Sequence, residues 1–174
     1  MIGRLVLFLA LALAPLPAGA QSPNLPTKDI LGTALDAGTF TIFLAGVKAA
    51  GLNDFLAAEG PLTVFAPTDD AFAKLPPGTV QMLLRPENRD RLRALLMHHV
   101  VVGRVVARDF LGRRMEAATA DGALVLIDAT KTVMIDTARL IKADIGADNG
   151  IIHVIDTVLT TPATVPAPNS PAAK

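Results

Sequence analysis

Leu92-Arg93-Ala94-Leu95-Leu96-Met97-His98-His99-Val100-Val101-Val102-Gly103 changes its hydrophobic period part-way along. Leu92, Leu95 and Leu96 recur at i, i+3 and i+4, the spacing of one helical face. From His98 the residues become β-branched, the period moves towards 2, and Gly103 closes the run. The stretch predicts a helix following Asn88 that feeds directly into a strand at 98–102. It also divides the chain into a helical half and a strand half.

Towards the N-terminus, Thr39 is the expected cap of a helix with Phe40, Phe43, Leu44 and Val47 at i, i+3, i+4 and i+7, stopped by Gly51. Leu52, Phe55 and Leu56 suggest another short helical turn. Residues 62–66 (Leu-Thr-Val-Phe-Ala) form a compact strand candidate between Pro61 and Pro67. Thr68 is expected to cap the next helix, with Asp69 and Asp70 in its first turn complementing the helix dipole. Towards the C-terminus, Asp121-Gly122 signals a turn before a strand at 123–127, and 132–135 and 139–145 are further strands. Asn149-Gly150 is expected to supply a positive-φ hairpin turn into 151–155. Helices first and strands later predict an α+β fold, not an alternating parallel α/β fold.

The ends read differently. Residues 1–20 carry Arg4, an apolar run at 5–14, helix-breaking Pro15 and Pro17, and Ala18-Gly19-Ala20, the pattern of a cleaved signal peptide. The run is too short for a bilayer span of about 20 residues. Residues 21–28 are a polar lead-in, and 29–159 form one globular unit. Residues 160–174, rich in Thr, Ala and Pro, are expected to be an extended, disordered tail. The expectation is an exported protein, in the periplasm or at the cell surface, without stable membrane insertion once the leader is removed.

Composition narrows the chemistry. The chain has 174 residues, 51% of them hydrophobic, with 16 basic and 16 acidic side chains. That balance excludes a strongly basic nucleic-acid binder. The absence of Cys excludes disulfide scaffolds, thiolate metal sites and Cys nucleophiles. Ser occurs only at Ser22 and Ser170, outside the globular unit, so a Ser-His-Asp mechanism has no positioned nucleophile. The sequence holds neither a Gly-rich phosphate loop nor a His-Glu-x-x-His helix.

Three boxes then carry a resemblance: Thr63-Val64-Phe65-Ala66-Pro67-Thr68-Asp69-Asp70-Ala71-Phe72, Leu95-Leu96-Met97-His98-His99-Val100-Val101-Val102-Gly103, and Asn149-Gly150-Ile151-Ile152-His153-Val154-Ile155-Asp156-Thr157-Val158-Leu159. Together they resemble a single fasciclin-like domain of the secreted bacterial type, a periostin-like module, over nearly all of 29–159. The resemblance implies a β-sheet wedge flanked by helices and a role in adhesion or extracellular contact, with no catalytic machinery and no cofactor. His98 stands where the family usually has an aromatic, often Tyr, and Val102 where Pro is common.

Within these boxes Thr68, Asp69, Asn149, Gly150 and Asp156 read as structural, through caps, a turn and backbone hydrogen bonds. His99 and His153 read as buried, hydrogen-bonded histidines. His98 reads as the exposed member of its pair, sharing a face with Val100 and Val102 as a partner-binding patch. The expected partner is a cell-surface or matrix protein or a polysaccharide, not a nucleic acid. The competing reading is a metal-dependent hydrolase or other enzyme using His99 or His153 with an Asp, although no metal site is assigned.

Overall fold

The protein is described by a computed structural model over residues 28–160, apart from Glu59. The leader, most of the lead-in and all but the first residue of the tail lie outside these residues. The helical half contains α1 (Ile30–Ala37), α2 (Thr41–Ala50), α3 (Asn53–Ala57), β1 (Leu62–Pro67), α4 (Asp69–Ala73), α5 (Thr79–Leu83) and α6 (Arg89–His98). β2 (Val100–Val102), α7 (Ala107–Phe110), β3 (Arg114–Ala118), β4 (Leu124–Asp128), β5 (Met134–Ile135), β6 (Ala138–Ala147) and β7 (Gly150–Ile155) follow.

The strands form one seven-stranded sheet in the order β2-β1-β7-β6-β5-β4-β3. β1 and β7, second and third from the β2 edge, pair in parallel, and the other neighbours are antiparallel. The two ends of the sheet meet. A bridge joins Val101 to Thr119, and the Ala120 N–H donates to the Val100 carbonyl at 2.7 Å. This curl divides the interior into two cores. Val64, Ala66, Val100, Ile152 and Val154 pack against α1–α6, with Phe40, Phe43, Val47, Leu92, Leu95 and Leu96. Phe65, Val101 and Ile155, one position out of phase, face the other way and pack with Phe110, Val125, Ile127 and Ile135. Period-2 alternation thus assigns successive residues of β1, β2 and β7 to different cores.

Three local expectations are corrected. The cap of α2 is Phe40, not Thr39. Phe40 makes no side-chain cap bond, and the Ile42 N–H is satisfied by Asp69 Oδ1 at 2.8 Å. A long-range carboxylate replaces the local hydroxyl, so Asp69 braces α2 from the start of α4. Helix α6 runs to His98 and caps at His99, so the strand begins at Val100, two residues later than the pattern suggests. The β6–β7 turn is Asp148-Asn149, and neither Asn149 nor Gly150 has positive φ. Gly150 is required for close approach instead: a Cβ there would lie 2.0 Å from the Leu62 carbonyl oxygen.

Candidate functional site

Each of the three histidines is held by a different part of the fold. His99 caps α6, where its Nδ1 is 2.7 Å from the Leu95 carbonyl and its Nε2 is 2.9 Å from the Leu159 backbone nitrogen. A carbonyl can only accept and an N–H can only donate, so the proton is on Nδ1 and the lone pair on Nε2. The ring is buried, and loss of hydration pushes its pKa down to about 4 against the weaker upward pull of the Leu95 bond. His99 is a neutral clasp between the end of α6 and the closing segment of the domain.

His153 takes the opposite tautomer. Its Nε2–H donates to the Val105 carbonyl at 2.8 Å, and Nδ1 accepts from the Asp144 N–H at 3.3 Å. The ring stacks on Phe65 and meets Phe110 edge-on, with centroids 5.6 and 5.7 Å away. Burial lowers its pKa too. Asp144 reaches His153 because β6 shifts register between Lys142 and Ile145, and Asp144 sits in that irregularity at φ 56°. Its carboxylate then accepts from the Ala107 N–H at the start of α7, at 2.9 Å.

His98 does not lie where its position in the sequence suggests. It is 4% exposed, its Nδ1 donating to Asp121 Oδ2 at 3.1 Å. Asp121, on the β3–β4 turn, also accepts from the Thr119 hydroxyl and the Ala123 N–H. Burial works to raise the Asp121 carboxyl, but the Thr119 hydroxyl, the Ala123 N–H and His98 together hold it below the usual carboxylate range. Val100 is buried against the helices, and of the expected patch only Val102, 66% exposed, reaches solvent. The reason is the helical period. Rotation by about 100° per residue continues to His98 and turns its ring inward beside Leu95. Strand alternation begins only at Val100, which faces the covered side of the sheet. His98, Val100 and Val102 therefore share no exposed face.

The remaining motif residues tie elements together. Thr68 caps α4 through a bond from the Ala71 N–H, 3.3 Å long. Asp156 accepts from the Arg139 N–H at 2.9 Å and from Lys74 at 3.2 Å. Asn149 joins four segments. Its Oδ1 accepts from the Ile30 N–H at the start of α1, its Nδ2 donates to the Leu56 and Ala58 carbonyls at the end of α3, and its own carbonyl accepts from the Leu62 N–H. Among the described residues, no group of three or more His, Cys, Asp or Glu side chains is placed to hold a metal ion. Both nitrogens of His99 and of His153 are already occupied by backbone partners.

Sequence reasoning missed the surface around His153. The backbone at 103–106 wraps Thr63, whose hydroxyl donates to the Gly103 carbonyl at 2.7 Å and accepts from the Val105 N–H at 2.9 Å. Arg104 stands between those two anchors, and α7 carries Arg108 close by. With Val106, Asp144, Gly146 and Ile151 they line an open cleft of about 330 Å³. A buried Thr inside a β-strand, one arginine ahead of a short helix and another within it carry no recognisable spacing, so no motif pointed here.

The fasciclin domain model matches residues 38–162. The chain belongs to the fasciclin domain family. This fasciclin domain is 47% identical over 143 residues to protein sll1483 of Synechocystis, covering 82% of this chain and 79% of that protein. It is 30% identical to human periostin over 75% of this chain, but spans only 15% of periostin's length. The cell surface glycolipoprotein MPB83 of Mycobacterium bovis is 35% identical over 60% of this chain and 46% of its own. The fold is shared with a solved domain pair from the insect cell adhesion molecule fasciclin I, at a TM-score of 0.53 and 20% identity over 71% of this chain and 46% of that one. The proteins it resembles thus include a cell adhesion molecule and a cell surface glycolipoprotein. No helix of the described residues is long and apolar enough to cross a membrane.

Proposed function

We propose that this chain is an exported, non-enzymatic fasciclin module that makes adhesive contacts outside the cytoplasm, with a cell-surface or matrix protein or polysaccharide as its partner. The observation that carries this reading is the family match across 38–162, in a family whose relatives include a cell surface glycolipoprotein. The geometry supports it. The imidazoles that an enzyme would use are committed to holding backbone segments, and the buried His98 to the aspartate of the β3–β4 turn. What remains for function is surface, presented on a rigid scaffold.

The test is two-part. Cells expressing the full chain are fractionated, and the purified protein is incubated with envelope and matrix material from the same cells. The expected result is export of the shortened chain and saturable retention on that material. Retention of the chain in the cytoplasm, or no binding above that of an unrelated protein of similar charge, refutes the reading.

A further inference from the structure

The cleft between the 103–110 segment and the irregular half of β6 brings two exposed arginines, one exposed carboxylate and a bare stretch of strand together. Arg104 makes no ion pair or side-chain hydrogen bond among the described residues. Among the described residues Arg108 has only its chain neighbour Asp109, 3.9 Å away and itself engaged by the Val106 N–H. Asp144 uses one carboxylate oxygen on Ala107 and has no second partner among the described residues. Gly146 contributes bare backbone, with no atom within 4 Å of where a Cβ would be. Val106 and Ile151 complete the lining. At about 330 Å³ the cleft is at the lower end of small-ligand sites.

We propose that this cleft binds a hexuronate unit of an acidic polysaccharide, with its carboxylate between Arg104 and Arg108 and its ring hydroxyls on Asp144. The proposal rests on the reading of the chain as an extracytoplasmic contact module and names the chemistry of its partner. Guanidinium groups match a carboxylate in geometry and charge. Asp144 decides between anions. A fixed carboxylate repels every anion, uronate included, so its selectivity comes from accepting hydrogen bonds from the hydroxyls that flank a uronate carboxyl and that a heavily sulfated sugar or a phosphate diester lacks. The bare strand at Gly146 lets a sugar ring lie close to the sheet, and Val106 and Ile151 offer its C–H face an apolar surface. A nucleic acid lacks support here, because none of the seven Phe lines the cleft and there is no Trp or Tyr to stack a base.

The walls are held in place before any ligand arrives. The backbone that carries Arg104 is fixed on one side by the bond from the Thr63 hydroxyl to Gly103, and on the other by Val105, which bonds to both Thr63 and His153. Asp144 is fixed by His153 from the opposite wall. One buried imidazole therefore spans both sides of the cleft. Such preorganisation lowers the ordering cost of binding.

The experiment is calorimetric titration of the purified full chain with oligogalacturonate. A neutral maltooligosaccharide of equal length and dextran sulfate serve as controls. Saturable binding of oligogalacturonate is expected, with none of the maltooligosaccharide. Arg104→Ala and Arg108→Ala should each weaken it tenfold or more. Gly146→Val, which places a side chain on the cleft floor, should do the same with an unchanged melting temperature. Asp144→Asn should reduce the preference for oligogalacturonate over dextran sulfate. Absence of saturable binding, equal affinity in all variants, or tighter dextran sulfate binding that Asp144→Asn leaves unchanged would each overturn the proposal. In the envelope-binding assay, competition by oligogalacturonate supports it. Envelope binding that oligogalacturonate does not compete overturns the cleft assignment alone. Oligogalacturonate binding by a chain that does not bind envelope overturns the contact reading alone.

Discussion

Acid should destabilise this protein through His99 before its carboxylates are protonated. The native ring is neutral, with Nε2 accepting from Leu159, and a proton on that nitrogen would face the Leu159 N–H instead. The unfolded imidazole titrates at its ordinary 6.5 and the native one at about 4. Between those values the unfolded chain binds more protons, so stability falls as pH drops. The contribution is complete above pH 6.5, declines through the window, and is lost as pH falls through about 4. Linkage with these two values gives a loss of about 2 kcal/mol between pH 7 and pH 5 from His99 alone. His153 is shifted in the same direction and adds to it. Asp121, Asp128 and Asp156 are all lowered, so their losses come at more acid pH and leave this window to the histidines. Urea unfolding at pH 7, 6 and 5 measures the slope in the wild type and in His99→Gln, which cannot titrate. The variant should start less stable by roughly 1–3 kcal/mol, for its lost partners, and the gap should then narrow by about 2 kcal/mol as pH falls to 5. Parallel curves for the two proteins, or a native His99 resonance titrating near 6.5, would refute the assigned tautomer and its burial.

Asn149→Ala removes three side-chain hydrogen bonds and leaves the Ile30 N–H and the Leu56 and Ala58 carbonyls to find other partners. A loss of about 2–4 kcal/mol in chemical denaturation is expected. Gly46→Ala should stabilise α2 by about 0.5–1 kcal/mol, read as a rise in melting temperature. Its Cβ would meet Leu92 and Leu96 at an ordinary 3.6 Å, in a helix interior where Gly is costly. Ending the chain after Thr161 should change stability by less than about 1 kcal/mol, as surface changes usually do. Ending it after Thr157 should cost several-fold more, because Val158 and Leu159 are buried and Leu159 is the partner of His99.

Local pattern made α2, α6 and β4 legible, because each has one face that must be apolar, and β1 and β7 legible as short apolar runs, because both of their faces are covered. β3 was not legible: Arg114-Met115-Glu116-Ala117-Ala118 has no β-branched residue, and it is a strand because β4 pairs with it, not because of its own propensity. α7 is four residues held by Asp109 and by the remote Asp144, so nothing local announces it. Among site residues, the Thr68 cap could be read because capping is local. The role of Asn149 could not, since its partners lie at residues 30, 56 and 58, far along the chain. The inward turn of His98 escaped for a related reason. Where a helix passes directly into a strand, a shift of two residues in the boundary moves a side chain from one side of the molecule to the other.

That shift also moves the proposed region of contact in a physically consistent way. With His98 and Val100 inside, the middle box supplies a core clasp and a turn anchor, and of the three patch residues only Val102 remains at the surface. The chain immediately after it, from Gly103 to Phe110, runs over the opposite core. Phe110 fills that core while Arg104 and Arg108 line the cleft outside it. Loops usually combine chemical variety with mobility. This one is fastened from beneath by Thr63 and His153, two buried polar side chains on the adjacent parallel strands β1 and β7. Polar groups buried in a sheet are costly unless fully bonded. Here each is bonded to the segment that carries the two arginines, so the same bonds that satisfy the core fix the shape of the surface above it.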